Sequence, residues 1–439
     1  MVAVASLAAA SLAACGPSVS SDPASGTEGE TAGTSESVDY SAVEPASEIA
    51  FWSNHPGGSM DLEKEIIAGF EAETGIKVNL VTAGANYEEV SQKFQVAQGT
   101  NDVGDLVVLS DATWFPAYLA GSITPIDDLL TAVGADPSGY QDALFGDYLY
   151  EGDHYAVPYA RSTPIFYYNK DHYAQAGLAD AAPETWDDAA TAGVALTAAT
   201  GVPAFGYPPE AEYPAWTMSN LVWGYGGQWS NEWDFATVAD ANTVEALTFA
   251  QDAVSDGWAA VLSGDPATDF AAGAVSQVVA STGSLSGILD SADFEVGVGF
   301  LPGGPKDTDK VVPTGGAGVA VASNTTPEKK LAAAMFATYL TNAQNTATFS
   351  AGTGYLPVQK DADMSSVYTD APQFEVAVNQ LSRARSQDYA RVFVPGGDLA
   401  IAKTLQSILA NGANVESSTT ALQEELQTLF DRDLKDRVS

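Results

Sequence analysis

A hydroxyl-rich segment, Ser281-Thr282-Gly283-Ser284-Leu285, has the residue types that hold a phosphate group. A helix entered through such a segment offers side-chain hydroxyls, backbone amides that lack a partner within the helix, and the positive end of the helix dipole. Together these groups bind phosphate without a metal ion or a lysine. We therefore expect Ser281, Thr282 and Ser284 to contact an anionic group of a ligand.

Asp111 follows the apolar run Leu106-Val107-Val108-Leu109 and has the opposite chemistry. A carboxylate repels phosphate, but it is a good acceptor for two neighbouring hydroxyl groups. If both sites contact one ligand, that ligand has a hydroxylated end at Asp111 and an anionic end at the Ser-Thr-Gly-Ser segment.

Cys15 is the single cysteine of the 439 residues, and its context indicates lipid attachment. It ends the segment Leu12-Ala13-Ala14-Cys15-Gly16, after an apolar run of small residues, as in a bacterial lipobox. Residues 1–15 are therefore predicted to be a lipoprotein signal peptide with its lipobox. Residues 16–45, rich in Ser, Gly, Thr and Glu, are predicted to be a disordered tether.

Catalysis has little support in the sequence. Its three histidines, His55, His154 and His172, form no metalloprotease pair, and we find neither a phosphate-binding loop nor a nucleophile elbow. With 57 acidic residues a glycosidase-like carboxylate pair is conceivable, but no feature selects one. We predict a protein that is not an enzyme and uses neither cofactor nor metal.

The charge of the chain limits its partners. Asp and Glu number 57 against 17 Lys and Arg, which gives a formal net charge of −40. We predict no nucleic-acid partner, because binding of nucleic acid requires clustered basic side chains. We attribute the charge to solubility, with adaptation to high salt as the alternative.

Behind these residues the sequence shows alternating strands and helices. The run Ile49-Ala50-Phe51-Trp52 predicts a strand, and a helix follows with Leu62, Ile66, Ile67 and Phe70 on one face, ending at Gly75. Further predicted elements are a strand at residues 76–80, a helix at 86–98 and a doubly buried strand at 106–109. This order is typical of an α/β fold with a parallel sheet, whose ligands bind at the carboxyl ends of strands. The folded part is long enough for two domains.

A second α/β region begins at residues 155–171, where a prolyl strand leads into an aromatic strand ending in Tyr-Asn-Lys-Asp. This segment resembles the first interdomain crossing of the extracellular solute-binding proteins of ABC importers. The Pro-Glu-Thr-Trp segment at 183–186 and Thr-Gly-Tyr-Leu-Pro at 353–357 are similar to two further motifs of that family. The resemblance implies a two-lobed periplasmic-binding-protein-like fold of type II, with a ligand cleft between the lobes.

Within the family, the sequence most resembles the subgroup that binds sn-glycerol-3-phosphate and glycerophosphodiesters. Gly84-Ala85-Asn86-Tyr87-Glu88 resembles the subgroup's motif with a ligand-binding tyrosine, and Asp111 matches its glycerol-binding acid. The resemblance further implies that Ser162, Gly316 and Tyr355 contact the ligand, together with the Ser-Gly-Ser-like turn at 281–284.

The subgroup also has an arginine near a Gly-rich turn that binds the phosphate in a bidentate manner. Arg391, close to Gly396 and Gly397, is the candidate here, although it lies a few residues from the usual position. Arg161, beside Ser162, is a second candidate cation, or alternatively a solvated residue between the lobes. Without an arginine in the cleft, a neutral sugar becomes the better ligand.

Aromatic residues support that alternative. Four tryptophans follow Tyr213 closely, namely Trp216, Trp223, Trp229 and Trp233. Such rings stack on sugars or surround a choline-type headgroup. We expect Tyr213 and Trp216 to face the cleft, and Trp223 and Trp229 to pack inside the second lobe. The alternative function is thus a maltose-type binding protein for a neutral oligosaccharide.

The resemblance also implies a mechanism. Lobe 1 would comprise residues 46–159 and 302–345, lobe 2 residues 162–298 and 346–439, and the lobes would close on the ligand. The closed protein, a monomer, would then dock on a two-subunit membrane permease driven by a cytoplasmic ATPase. With the lipid on Cys15, we expect it on the extracellular face of the cytoplasmic membrane of a bacterium.

Overall fold

Two five-stranded sheets organise the computed structural model, which describes residues 38–100, 102–309 and 311–438. The predicted signal peptide, Cys15 and residues 16–37 of the predicted tether lie outside the described residues. In the remainder of that tether, Tyr40–Ala42 form one 3₁₀ turn. Tyr40 packs against the hydrophobic core, and the amide of Ala46 donates to the carbonyl of Glu328.

The strands of the described residues vary in length from two to seven residues. They are β1 (Glu48–Ser53), β2 (Lys77–Thr82), β3 (Leu106–Ser110), β4 (Leu149–Tyr150), β5 (Asp153–His154), β6 (Val157–Ser162), β7 (Pro164–Asn169), β8 (Phe205–Tyr207), β9 (Ala259–Val261), β10 (Gln277–Ser281), β11 (Val296–Gly299), β12 (Val312–Pro313), β13 (Gly315–Val321) and β14 (Ala384–Arg385).

The α-helices of the same residues connect and cover these strands. They are α1 (Met60–Thr74), α2 (Tyr87–Ala97), α3 (Trp114–Leu119), α4 (Asp127–Ala132), α5 (Asp142–Phe145), α6 (Lys170–Gln175), α7 (Trp186–Thr200), α8 (Pro214–Thr217), α9 (Ser219–Gly224), α10 (Ala241–Ser255), α11 (Pro266–Ala271), α12 (Leu285–Ser291), α13 (Pro327–Leu340), α14 (Ala343–Thr353), α15 (Ser365–Asp370), α16 (Gln373–Gln380), α17 (Tyr389–Val392), α18 (Gly397–Asn411) and α19 (Val415–Asp433).

The first sheet has the order β2-β1-β3-β13-β6. β1 pairs with β2 and β3 in parallel, which confirms the parallel arrangement predicted from the alternating elements. The predicted helix signals are confirmed as well: Gly75 ends α1 in a left-handed conformation, and the Asn86 side chain caps α2 by accepting from the amide of Glu89 at 2.9 Å. β13 joins this sheet antiparallel to β3 and β6.

The second sheet has the order β11-β7-β10-β8-β9. The chain reaches it from β6 through one residue, Thr163, which is fully buried. It returns to the first sheet between β11 and β13. Because β6 and β7 belong to different sheets, this single residue forms a very short connection between them.

Burial on both faces explains the composition of the strands. In β3, Leu106 and Val108 pack in one hydrophobic cluster, while Val107 and Leu109 pack in a second cluster on the other face of the sheet. The prediction of a doubly buried third strand is therefore confirmed. Residues 40–439 form one compact unit, which contains both sheets. Among the described helices we find none that combines the length and apolar character needed to span a bilayer.

Candidate ligand-binding site

A cavity lies where strands of both sheets end. Its volume is about 220 Å³. The first sheet contributes residues that follow or end its strands, and the second sheet contributes β10 and the segment after β8. Ten of the residues predicted from the sequence line it: Tyr87, Asp111, Ser162, Tyr213, Trp216, Ser281, Ser284, Gly316, Tyr355 and Arg391.

Arg391 reaches this cavity from α17 and contacts Asp111. Its Nη1 donates to Asp111 Oδ2 at 2.8 Å, and Gln387 Nε2 donates to the same oxygen at 2.7 Å. Arg391 Nη1 also donates to Gln387 Oε1. Burial alone would raise the pKa of Asp111. The charges of Arg391 and Arg161, with the hydrogen bonds from Arg391 and Gln387, together outweigh burial, and the pKa is lowered. The carboxylate and the guanidinium, predicted to hold opposite ends of a ligand, thus touch each other.

Asp398 contacts the other side of the same guanidinium. Its Oδ1 lies 2.9 Å from Arg391 Nε, although the angle does not make a hydrogen bond. Burial raises the pKa of Asp398, the charge of Arg391 offsets this in part, and Asp111 adds to the rise. Arg391 is therefore ion-paired with two carboxylates at once.

Arg161, the second candidate cation, does not line the cavity. It is fully buried in β6, where Nη1 donates to the hydroxyl of Tyr148 at 2.7 Å and Nη2 pairs with Asp147. Its alternative interpretation as a solvated residue is wrong, because the ring of Tyr148 and the carboxylate of Asp147 replace water around the guanidinium. Burial raises the pKa of Asp147, and Arg161 opposes that rise.

Tyr87 and Tyr355 meet at the cavity although they are far apart in sequence. Their hydroxyl oxygens are 3.1 Å apart, so one donates to the other. Tyr87 is the first residue of α2, and Tyr355 follows α14. Burial raises the pKa of both phenols, which therefore stay neutral and can donate or accept a hydrogen bond at neutral pH.

The aromatic residues fall into two groups. Tyr213 and Trp216 line the cavity, whereas Trp223 and Trp229 are buried elsewhere, both donating to Asp388 Oδ2. Trp216 Nε1 donates to the carbonyl of Thr314 at 2.9 Å, which fixes its ring against β13. Tyr213 has a left-handed backbone (φ 55°), a costly conformation for a tyrosine that is common at functional sites.

Only part of the hydroxyl-rich segment lines the cavity. Ser281 and Ser284 line the cavity, but Thr282 is not among the lining residues; its Oγ1 accepts from the amide of Thr163 at 3.3 Å. The Gly283 amide donates to Ser281 Oγ at 3.0 Å, so it is already used. α12 has seven residues, which makes its dipole short. The hydroxyls therefore matter more here than the end of the helix.

Gly316 is required for the backbone geometry of the first sheet at the cavity. Its φ is 86°, and a Cβ at this position would lie 2.1 Å from the carbonyl oxygen of Ala160. Its own carbonyl accepts from the amide of Asp111 at 3.0 Å. Only glycine lets β13 approach β6 this closely while holding the loop that carries Asp111.

A buried network supports the loop after β1, which brings Gly57 to the cavity. Glu63 of α1 is fully buried and accepts from Ser53 Oγ at 2.7 Å and from the hydroxyl of Tyr159 at 3.0 Å. It also pairs with His55 Nδ1. The sequence analysis missed this network, because nothing in the spacing of His55 and Glu63 distinguishes it from a surface pair.

The sequence analysis also missed several polar residues of the cavity. Four further carboxylates line it: Glu88, Glu212, Asp265 and Asp398. In addition, Gln387 donates a hydrogen bond to Asp111. Glu88 and Glu212 adjoin predicted site residues in sequence, and Asp398 adjoins the Gly396-Gly397 pair. That proximity was the available signal. Among the described residues, no group of His, Asp and Glu side chains is arranged to hold a metal ion.

Comparison with known proteins places this site in context. Residues 65–376 match the family described as bacterial extracellular solute-binding proteins. The crystal structure of UgpB from Mycobacterium tuberculosis in complex with glycerophosphocholine is 43% identical, with a TM-score of 0.84, and the match covers 88% of this chain and 99% of that one. The sn-glycerol-3-phosphate-binding periplasmic protein UgpB of Escherichia coli K12 is 26% identical over 373 residues, covering 76% of this chain and 80% of its own.

More distant structures share the architecture. The GacH receptor of Streptomyces glaucescens, known in complex with acarbose, is 20% identical with a TM-score of 0.76, and the match covers 88% of this chain and 98% of that one. At that identity the likeness establishes the fold alone. The predicted two-lobed α/β fold of periplasmic binding proteins is confirmed.

Proposed function

The chain belongs to the bacterial extracellular solute-binding proteins, and we propose that it captures a glycerophosphodiester such as glycerophosphocholine, or sn-glycerol-3-phosphate, for an ABC importer. It is a binding protein and not an enzyme. The observation that carries the ligand assignment is the position of Arg391, which lines the same cavity as Asp111, Ser281 and Ser284. A neutral sugar would not need a buried guanidinium there.

The groups of the cavity match the parts of such a ligand. Arg391 and the hydroxyls of Ser281 and Ser284 suit the phosphate. Both hydrogen bonds described above for Asp111 end on Oδ2, so Oδ1 retains the capacity to accept from a glycerol hydroxyl. The Tyr87–Tyr355 pair can donate to the remaining ligand oxygens. Tyr213 and Trp216, with Glu88 beside Tyr213, suit a choline-type headgroup.

Calorimetric titration of the purified protein with glycerophosphocholine, sn-glycerol-3-phosphate and maltose tests this proposal. We expect a glycerophosphate compound to bind and maltose not to bind. The Arg391→Ala variant should lose the binding, because truncating one partner of a buried charge contact costs about 2–5 kcal/mol. Thermal unfolding of the variant serves as the control for folding. Binding of maltose alone would contradict the proposal and favour the oligosaccharide alternative.

We further propose that ligand capture closes two lobes and that the closed protein delivers the ligand to a membrane permease. The presence of cavity residues from both sheets supports closure, since a ligand bound there contacts both. The lobe boundaries remain those expected from the sequence. Small-angle scattering with and without glycerophosphocholine measures the closure; an unchanged radius of gyration at saturation would contradict it.

Attachment of a lipid to Cys15 is proposed from the sequence motif Leu12-Ala13-Ala14-Cys15-Gly16. It would hold this extracellular protein at the cytoplasmic membrane through the segment 16–45, as a monomer. Detergent partitioning of the protein expressed in a bacterium tests the anchor. Cys15→Ser should move the protein from the detergent phase to the aqueous phase; equal partitioning of both forms would rule the anchor out.

A further inference from the structure

The charges around the cavity are unequal in number. Five carboxylates line it, from Glu88, Asp111, Glu212, Asp265 and Asp398, whereas Arg391 is the one basic side chain of that lining among the described residues. The nearby guanidinium of Arg161 is paired with Asp147 inside the protein. An anionic ligand therefore enters a cavity whose lining is net negative. Every additional negative charge on the ligand lowers the free energy gained on binding.

Arg391 does not hold its two carboxylates equally. Asp111 accepts hydrogen bonds from Arg391 Nη1 and from Gln387, and its side chain is 7% exposed. Asp398 is 24% exposed and lies 2.9 Å from Nε without hydrogen-bond geometry. Asp398 is thus the weaker partner of the guanidinium. A phosphate oxygen that approaches Arg391 displaces it at lower cost than it displaces Asp111.

We infer that Asp398 is a specificity-determining residue, which competes with the ligand phosphate for Arg391 and thereby selects monoanionic phosphodiesters over dianionic phosphate monoesters. The inference rests on the proposed function and names the substrate class within it. Asp398 touches Arg391 directly, so its charge acts on the group that binds the phosphate. The pKa of Asp398 is raised, first by burial. This agrees with a carboxylate whose negative charge is only partly balanced by Arg391.

The two candidate ligands differ in charge. A phosphate monoester such as sn-glycerol-3-phosphate carries close to two negative charges at neutral pH. Glycerophosphocholine carries one negative charge on its diester and one positive charge on its ammonium group. With Asp398 ionised and in contact with Arg391, the second charge of the monoester is repelled, whereas the diester presents a single charge to the guanidinium. The ammonium group of the diester is attracted by Glu88, which lies beside Tyr213.

The test is a calorimetric titration at pH 7.5 of the wild type, Asp398→Asn and Asp398→Glu with glycerophosphocholine and sn-glycerol-3-phosphate. The wild type should bind the diester at least about tenfold more tightly than the monoester. In Asp398→Asn this ratio should shrink by about tenfold, through tighter binding of the monoester. Asp398→Glu, which keeps the charge, should retain the wild-type preference. Asp398→Ser replaces Asp398→Asn if thermal unfolding shows that the asparagine variant does not fold.

Two matched controls separate competition for Arg391 from the general negative field. Asp265 lines the cavity but caps α11, accepting from the amide of Thr268 at 3.1 Å. Glu73 is exposed near the end of α1. Asp265→Asn and Glu73→Gln each remove one negative charge and should leave the ratio within about threefold of the wild type.

An unchanged ratio in Asp398→Asn overturns the inference, and so does an equal change in Asp265→Asn, which would assign the preference to the field of the cavity. In both cases the wild type still binds glycerophosphocholine, so the proposed function stands. Failure of the wild type to bind either compound rejects the proposed function itself, and the inference with it.

Discussion

Two buried arginines of this protein, Arg161 and Arg391, have the same chemistry and different surroundings. Arg161 lies within β6, and its partners Asp147 and Tyr148 do not line the cavity. Arg391 lies at the cavity, and its carboxylate partners Asp111 and Asp398 both line that cavity. A buried arginine thus becomes available to a ligand when its counterions, and not merely its own side chain, are accessible from the ligand side.

The largest effect that this comparison predicts is on stability. Arg161→Ala leaves the Asp147 carboxylate buried without its charged partner, which should lower the free energy of unfolding by about 3–5 kcal/mol. Chemical denaturation followed by circular dichroism measures this loss. Arg391→Ala, measured in the same way, should cost clearly less, because water entering the cavity can solvate Asp111 and Asp398. Equal losses of unfolding free energy in the two variants would contradict the proposed difference between the two arginines.

A smaller effect is expected for Arg391→Lys. The lysine keeps the positive charge but loses the planar guanidinium, which contacts Asp111 and Asp398 through different nitrogens. Glycerophosphocholine should bind about tenfold more weakly to this variant, the equivalent of one charged hydrogen bond. Arg161→Lys is the matched control and should leave the affinity of the folded protein unchanged. A similar loss of affinity in both variants would mean that Arg391 has no special role at the cavity.

The smallest expected effect is a dependence of binding on pH. Burial raises the pKa of Asp398, so lowering the pH from 7.5 to 5.5 increases the fraction of Asp398 that is protonated. A protonated Asp398 competes less for Arg391, while a phosphodiester stays ionised over this range. The affinity for glycerophosphocholine should therefore rise as the pH falls.

Neighbouring groups define the control for that experiment. Glu88 and Asp111 also face the cavity, and burial, with the charges of Asp398 and Asp111, raises the pKa of Glu88. Protonation of Glu88 would weaken the attraction of a cationic headgroup and so opposes the predicted trend. In Asp398→Asn the rise in affinity at low pH should disappear. A rise that persists in this variant would assign the effect to a different carboxylate.

Local signals in the sequence were sufficient for much of the fold. The continuous apolar run of β3 predicted burial on both faces, Gly75 predicted the end of α1, and Asn86 lies at the predicted start of α2. Each of these depends on residues close together in the chain. The site residues Tyr87, Ser162 and Tyr355 were predicted through motifs of a family, and the structure brings them to one cavity.

Contacts between distant segments were beyond the reach of the sequence. Nothing near Arg161 indicated that Asp147 would pair with it, so it could be interpreted as a cation of the cleft or as a solvated residue. Nothing near Arg391 in the sequence indicated that Asp111, which follows β3, would accept a hydrogen bond from its Nη1. Thr282 looked like its serine neighbours, but its side chain bonds Thr163. Charge pairing and side-chain direction at such positions depend on tertiary packing.

The passage from β6 to β7 through Thr163 also has a consequence for the entropy of the connection. A long flexible connector would have many conformations to lose whenever the two sheets take up a fixed arrangement, at about 1–2 kcal/mol for each residue that becomes ordered. Thr163 is fully buried and bonded to Thr282 through backbone and side chain, so its conformation is already restricted. Little of the free energy of ligand binding is then spent on ordering this link, and more of it remains as affinity.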